Sequence, residues 1–240
     1  GKSTSMRILA GVIPKAAGRI YMEGQPVTIN SVHEAQKLGI KMLFHEPKLF
    51  DEFTVEYNIF AGHEICHPGT MIVKKPYQQE RAREILSLLG CNFGPDVIVS
   101  TLSTAQKRMV EIAKAIITPT KLIILDEITS QFSDQDVKLV FNTIFRLKEM
   151  NIAVIFISHN LEEVLQIADR IVILRDGTVA HIVENLELQT EQLIEKMAGN
   201  DIINRYPKTR NPKGECVLIA ENISNANGTV KNASLYLRRG

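Results

Sequence analysis

Apolar positions along the 240-residue chain follow two rhythms. Between residues 104 and 117, Ala105, Met109, Ile112, Ala113 and Ile116 recur at helical spacing and share one face, which predicts an amphipathic helix. Residues 122–125 (Leu-Ile-Ile-Leu) and 152–157 are instead unbroken apolar runs of strand length, as expected of strands covered on both faces. Around these anchors the pattern places helices over 3–10, 31–38, 54–60, 77–89, 134–150, 160–168 and 190–198, with Gly11, Gly39 and Gly90 closing three of them. Short strands fall at 19–22, 27–29, 40–44 and 171–174, and Asp176-Gly177 is a turn. The alternation of helix and strand predicts an α/β fold with a mostly parallel sheet and covering helices. Residues 200–216, polar and carrying Pro207, Pro212 and Gly214, read as a linker, after which 217–240 resumes strand-like alternation. The expected division is a domain over 1–199, a linker over 200–216, and the initial strands of a second domain over 217–240.

Composition narrows the classes. Hydrophobic residues make up 45% and charged residues 23%, a globular balance with enough apolar material for a core. The net charge of +1 leaves no basic excess to neutralise phosphates, so nucleic acid is not an expected partner. No apolar run approaches the ~18–20 residues of a membrane-spanning helix. Cys66, Cys91 and Cys216 are odd in number and far apart, offering neither a disulfide framework nor a paired-cysteine metal site. The chain opens on Gly1-Lys2-Ser3-Thr4 without a methionine and stops at Arg238-Arg239-Gly240 after a strand-like run, which reads as a piece of a longer protein.

Candidate chemistry concentrates at a few places. Gly1-Lys2-Ser3-Thr4 heads a helix and has the make-up of the end of a phosphate-binding loop. Glycine admits phosphate oxygens to backbone N–H groups, lysine reaches the terminal phosphates, and a hydroxyl ligates magnesium. Taken alone, the string is also an ordinary helix start. Asp126-Glu127 adds weight, because a buried strand delivers two adjacent carboxylates to its C-terminal end, where open α/β sheets bind ligands. One of the two can hold magnesium through water, and the other, on the opposite side of the strand, can polarise an attacking water. Ser103 caps the amphipathic helix and leaves its N-terminus open to an anion. His159 follows the second buried strand, either as a γ-phosphate contact or as a plain loop histidine. His63-Glu64-Ile65-Cys66-His67 has the HExxH spacing of zinc proteases, with Glu84 available as a third ligand, but Pro68-Gly69 breaks any helix directly after it.

Together these residues resemble the ABC-type ATPases, P-loop NTPases that add an antiparallel β portion and a helical signature-motif subdomain to the parallel sheet. Lys2-Ser3 matches the end of Walker A, residues 102–106 the signature motif, 124–127 Walker B and His159 the switch histidine. The strings at 106–114, 158–164, 168–170 and 174–177, with Arg205-Tyr206-Pro207-Lys208 in the linker, bring the resemblance closer. They look like the first nucleotide-binding half of the tandem ATPases of ribose, galactoside and xylose-type importers. The resemblance implies ATP and Mg2+ as ligands. Gly1, Lys2, Ser3 and Thr4 would lie on the phosphates with His45 at the Q-loop position, Ser3 and Asp126 on the metal, and Glu127 and His159 would be catalytic. Ser103, Thr104, Ala105 and Gln106 would act in trans on nucleotide held by the opposite half. The implied partners are the second nucleotide-binding half of the same chain, transmembrane permease subunits and, indirectly, a periplasmic sugar-binding protein. The implied location is peripheral, on the cytoplasmic face of the inner membrane. The segment from His45 to Phe60 would meet the permease, and its Leu49, Phe50 and Phe53 are contact or core, core being the plainer expectation. The expected function is ATP hydrolysis that powers monosaccharide import. The same fold also serves ABC ATPases without a membrane partner, at ribosomes or DNA, and halves that bind nucleotide with weak turnover.

Three positions depart from the family pattern. Ala105, with Thr104 before it, stands where the family carries glycine ahead of the signature glutamine, and a Cβ there is expected to crowd a γ-phosphate on the opposite half. His45 stands in place of glutamine. Magnesium prefers hard oxygen donors to a neutral imidazole, so slowed or pH-dependent hydrolysis is expected. Ile128 stands in place of proline, a milder change in the turn.

Overall fold

In the structure, a computed structural model that describes residues 1–44, 46–130, 132–185, 189–198, 214–225 and 231–239, helices and strands alternate along the first 198 residues. In chain order they are α1 (Lys2–Leu9), β1 (Ile20–Met22), β2 (Gln25–Val27), α2 (Val32–Lys37), β3 (Ile40–Leu43), α3 (Val55–Phe60), α4 (Lys75–Leu89) and α5 (Thr104–Ile116). There follow β4 (Leu122–Asp126), α6 (Asp134–Glu149), β5 (Ala153–Ile157), α7 (Leu161–Ile167), β6 (Arg170–Arg175), β7 (Thr178–Glu184) and α8 (Thr190–Ala198), then β8 (Cys216–Ile223) and β9 (Ala233–Arg238).

The parallel sheet has the order β3-β4-β5, with Ile40 level with Leu122 and Leu122 level with Ala153. Its central strand explains the apolar run seen in the sequence. Successive β4 side chains enter opposite cores, so no polar position can be spared. Ile123 and Leu125 join the main core with Met109 and Ile112 of α5, Val140 and Ile144 of α6 and Ile59 of α3. Ile124 joins Ile29, Ala35 and Ile40 on the other face, where Met6 and Leu9 of α1 pack. β1–β2 and β6–β7 are antiparallel hairpins, and Ile171 and Ile173 of β6 pack on Leu193 of α8 in a third cluster. β7 is absent from the expected elements: it exposes five of its seven residues, and so carries almost no alternation to read.

Helix ends follow local chemistry. α4 stops at Gly90 in the left-handed region (φ 76°), where an added Cβ would run into the Arg146 guanidinium at 2.8 Å. Ser133 caps α6, which carries Asp134 and Asp136 in its first turn and Arg146 and Lys148 in its last, in line with the helix dipole.

The edge of β5 away from β4 has no strand partner among the described residues. A cavity of about 760 Å3 lies there, bordered by Ile155, Ile157, Ile171, Ile173, Lys2 and Met6. The chain divides into two compact units, Gly1–Met197 and Ala198–Gly240. In the second, β8 and β9 pair antiparallel with Val217, Ile219, Leu235 and Leu237 exposed. Most of the expected linker, residues 200–213, lies outside the described residues.

Candidate functional site

The residues singled out near the N-terminus and at the end of β4 meet in space. Gly1 is the N-cap of α1, so Lys2, Ser3 and Thr4 form the helix's first turn, with Lys2 and Thr4 exposed. Ser3 Oγ donates to Asp126 Oδ1 at 3.2 Å across 123 residues of sequence. Asp126 is the last residue of β4 and is buried, while Glu127 begins the turn beyond it with a φ of 52°. That left-handed conformation is uncommon for a residue with a side chain. The Glu127 N–H donates to Ile157 O at 3.0 Å, which lays the turn against the end of β5. Ser158 and His159 follow directly; His159 is exposed, and Ser158 borders the same cavity as Lys2. A hydroxyl and a carboxylate this close are the hard oxygen donors magnesium prefers, so the pair fits that ion.

One charged network braces this cluster and a second holds the chain on either side of position 45; neither has a role in the expectations above. Glu163, in the first turn of α7, accepts from Thr129 Oγ1 at 2.6 Å, Ser158 Oγ at 2.9 Å and Asn160 Nδ2 at 3.3 Å. On α5, buried Arg108 donates through Nη1 to Phe44 O at 2.8 Å and to Glu111 Oε2 at 2.5 Å. The other Glu111 oxygen accepts the Lys48 N–H at 2.8 Å. One ion pair thus holds the backbone at Phe44 and at Lys48, on either side of His45, which itself lies outside the described residues. Burial pulls Arg108 below its ordinary pKa and pushes Glu111 above the usual carboxylate range, with each partner's charge opposing the shift. The signal for this pair was present in the helical spacing, since Arg108 and Glu111 flank Met109 and Val110 on the buried side.

Ser103 and Gln106 form a reciprocal capping box at the head of α5. Ser103 Oγ accepts the Gln106 N–H at 3.2 Å, and Gln106 Oε1 accepts the Ser103 N–H at 2.9 Å. Thr104 is exposed, whereas Ala105 is 1% exposed and packs inward. No hydrogen bond among the described residues joins this motif to the Ser3–Asp126 cluster. The HExxH string is not helical: α3 ends at Phe60, Cys66 bridges to Val73 in extended pairing, and Glu64 accepts the Gly62 N–H at 3.0 Å. No group of three or more His, Cys, Asp or Glu suited to a metal occurs among the described residues. Phe50 and Phe53 are exposed rather than core; Phe53 stacks on Tyr57 at 4.3 Å, and only Leu49 packs against the main core.

Residues 1–130 match the family described as ABC transporter. The chain belongs to the ABC transporter family. Among curated members it is 37% identical over 240 residues to the ribose import ATP-binding protein RbsA of Clostridium perfringens (strain 13 / Type A), covering all of this chain and 48% of that protein. It is 36% identical over 245 residues to the galactose/methyl galactoside import ATP-binding protein MglA of Clostridium tetani, again over the whole chain and 48% of the relative. This ABC chain therefore spans about half the length of the curated relatives it matches. Of solved structures, MJ1267, an ATP-binding cassette of an ABC transporter, superposes with a TM-score of 0.71 at 27% identity over 82% of each chain. cbiO1 from Clostridium perfringens, part of the ABC transporter complex cbiONQ, gives 0.66 at 25% identity over 82% of this chain and 76% of that one. ABC membership carries nucleotide binding with it. No helix among the described residues is long and apolar enough to cross a membrane.

Proposed function

We propose that this chain is the first nucleotide-binding half of an ATPase that powers monosaccharide import. The observation that carries the reading is the Ser3–Asp126 contact, which joins the phosphate-loop end to the strand-end carboxylates as nucleotide chemistry requires. The relatives' names, ribose import and galactose/methyl galactoside import proteins, support monosaccharide as the substrate class.

In this reading Gly1, Lys2, Ser3 and Thr4 bind the phosphates of ATP through backbone N–H groups, an ammonium and hydroxyls. Ser3 and Asp126 hold Mg2+, which when bound neutralises charge on the phosphates. Glu127 orients the attacking water and accepts its proton, and His159 contacts the γ-phosphate. His45 takes the Q-loop position between backbone anchors at Phe44 and Lys48. Ser103, Thr104, Ala105 and Gln106 serve the nucleotide of the opposite half; the capping box uses Ser103 Oγ as an acceptor, and its O–H is suited to donate to an anion. Residues 1–199 form this domain, 200–216 link it onward, and the exposed apolar hairpin β8–β9 opens the second half. The exposed aromatic group Phe50, Phe53 and Tyr57 is the docking surface for a permease subunit, which brings the protein to the cytoplasmic face of the inner membrane and, through the permease, to a periplasmic sugar-binding protein.

The decisive experiment replaces Glu127 by Gln in the full-length ATPase. Hydrolysis should fall about 10²–10³-fold, the scale for losing one group aimed at the reacting centre, while nucleotide binding persists. A variant that no longer binds ATP, or that hydrolyses it at the original rate, would show that Glu127 does not have this role.

A further inference from the structure

We propose that Glu163 and Thr129 are positioning residues that lock the loop carrying Glu127 against the loop carrying His159, a proposal resting on the roles given to those two residues above. The Glu163 side chain is buried, its residue only 9% exposed, and one of its oxygens, Oε2, takes both the Thr129 hydroxyl at 2.6 Å and the Ser158 hydroxyl at 2.9 Å. The other oxygen takes Asn160 Nδ2 at 3.3 Å. Thr129, 4% exposed, lies two residues beyond Glu127, while Ser158 and Asn160 stand on either side of His159. A single carboxylate thus fixes the chain just past one catalytic residue and on both sides of the other.

The strand ladder explains why such a tie is needed. β4 and β5 stay in register only as far as Asp126 and Ile157, after which the two chains leave the sheet. Beyond that point the Glu127 N–H bond to Ile157 O at 3.0 Å and the Glu163 bonds carry the alignment onward. A carboxylate suits the task because charge-assisted hydrogen bonds are shorter and stronger than neutral ones. Its place in the first turn of α7 lies at the positive end of the helix dipole. Burying that charge costs solvation that an apolar residue would not. The return is placement, and a misplacement of ~1 Å in a catalytic constellation costs on the order of 10²-fold in rate.

The test compares the full-length ATPase with its Thr129→Val, Thr129→Ser and Glu163→Gln variants, measuring steady-state hydrolysis, binding of a fluorescent ATP analogue and Tm. Thr129→Val and Glu163→Gln should each lose about tenfold or more in kcat. Analogue affinity should stay within about threefold, the signature of a contribution made in the transition state rather than in binding. Thr129→Ser, which keeps the hydroxyl, should remain close to the parent. A purely structural role would lower Tm and spare the kcat of folded protein. If Glu163→Gln does not fold, the Thr129 pair decides alone. A folded Thr129→Val protein with kcat within about twofold of the parent overturns the proposal, as does equal loss in Thr129→Val and Thr129→Ser. Full hydrolysis by Glu127→Gln, or none by the parent, overturns the functional reading itself and this proposal with it. That result is distinct from the case in which the Glu127→Gln defect holds and the Thr129→Val defect does not.

Discussion

Glu127 pays a conformational cost, since its left-handed backbone (φ 52°) is disfavoured by about 1–2 kcal/mol in residues with a Cβ. Two features hold it there: its N–H bond to Ile157 O, and the neighbouring Ile128, which is 2% exposed and packed in the main core. A proline at position 128 would bias residue 127 towards extended backbone; isoleucine carries no such bias and anchors the turn in the core. His45 is the other residue whose identity should set the rate. With the backbone at Phe44 and Lys48 held by Arg108 and Glu111, exchanging the side chain at 45 need not disturb the chain around it. His45→Gln should therefore raise steady-state ATP turnover of the full-length protein, by at most the ~10²–10³-fold that one preorganised contact is worth. An unchanged or lower rate would rule out the ligand-hardness argument. Lys2, Ser3, Asp126, Glu127 and His159 stand in short strings at strand or helix ends; the apolar rhythm places those ends, and the resemblance to the family's motifs singles out the residues. Glu163 and Thr129 were not legible. Their partners lie 34 residues apart, and only the meeting of the loops after β4 and β5 makes them a pair.

α5 combines a capped N-terminus, a core-facing stripe and a buried ion pair. Its head is the Ser103–Gln106 capping box, its apolar stripe fills the main core, and its buried ion pair reaches across to the β3 exit. The inward turn of Ala105 alters one expectation, because the side chain shown at the open helix end is that of Thr104 rather than a methyl group at 105. The stripe was readable from period 3.6; the ion pair was harder, because charged residues on a helix are ordinarily assigned to its wet side. Burying Arg108 and Glu111 makes them interdependent. Arg108→Met alone leaves an uncompensated carboxylate and should cost about 3–5 kcal/mol of stability, whereas the paired change Arg108→Met with Glu111→Leu should be close to neutral. Thermal and denaturant unfolding of both variants checks this directly. The pH dependence has a definite sign. Glu111 titrates above its unfolded value, so its contribution to stability is complete below about pH 4.3 and is lost as pH rises through the higher folded value. The paired variant should therefore compare better with the parent at pH 7 than at pH 4, and a constant difference would mean that Glu111 is not desolvated.

At the scale of the whole molecule, two surfaces are left without the cover that their composition calls for. The hairpin β8–β9 exposes Val217, Ile219, Leu235 and Leu237, and a two-stranded hairpin is at best marginally stable by itself. In the first unit, the edge of β5 away from β4 has no strand partner among the described residues and lies beside a cavity of about 760 Å3 lined by Ile155, Ile157, Ile171 and Ile173. A phosphate loop joins a strand to a helix, and α1, the helix in question, contributes Met6 to that same cavity. We therefore expect a strand leading into Gly1 in the full-length protein to lie between β5 and β6. Backbone N–H groups on that side of β5 would then gain ladder partners, and half-buried Ile155 would be covered as Ile157, Ile171 and Ile173 already are. Amide hydrogen exchange compares the two cases: residues 153–157 and 170–175 should exchange at least about tenfold more slowly in the full-length protein than in the 240-residue chain. Segments distant from the cavity, such as α4 with its Gly90 cap, should differ far less, which separates filling of the slot from a general gain in stability. Equal rates at 153–157 in the two proteins would mean that no strand enters there and that β5 is a true edge of the sheet.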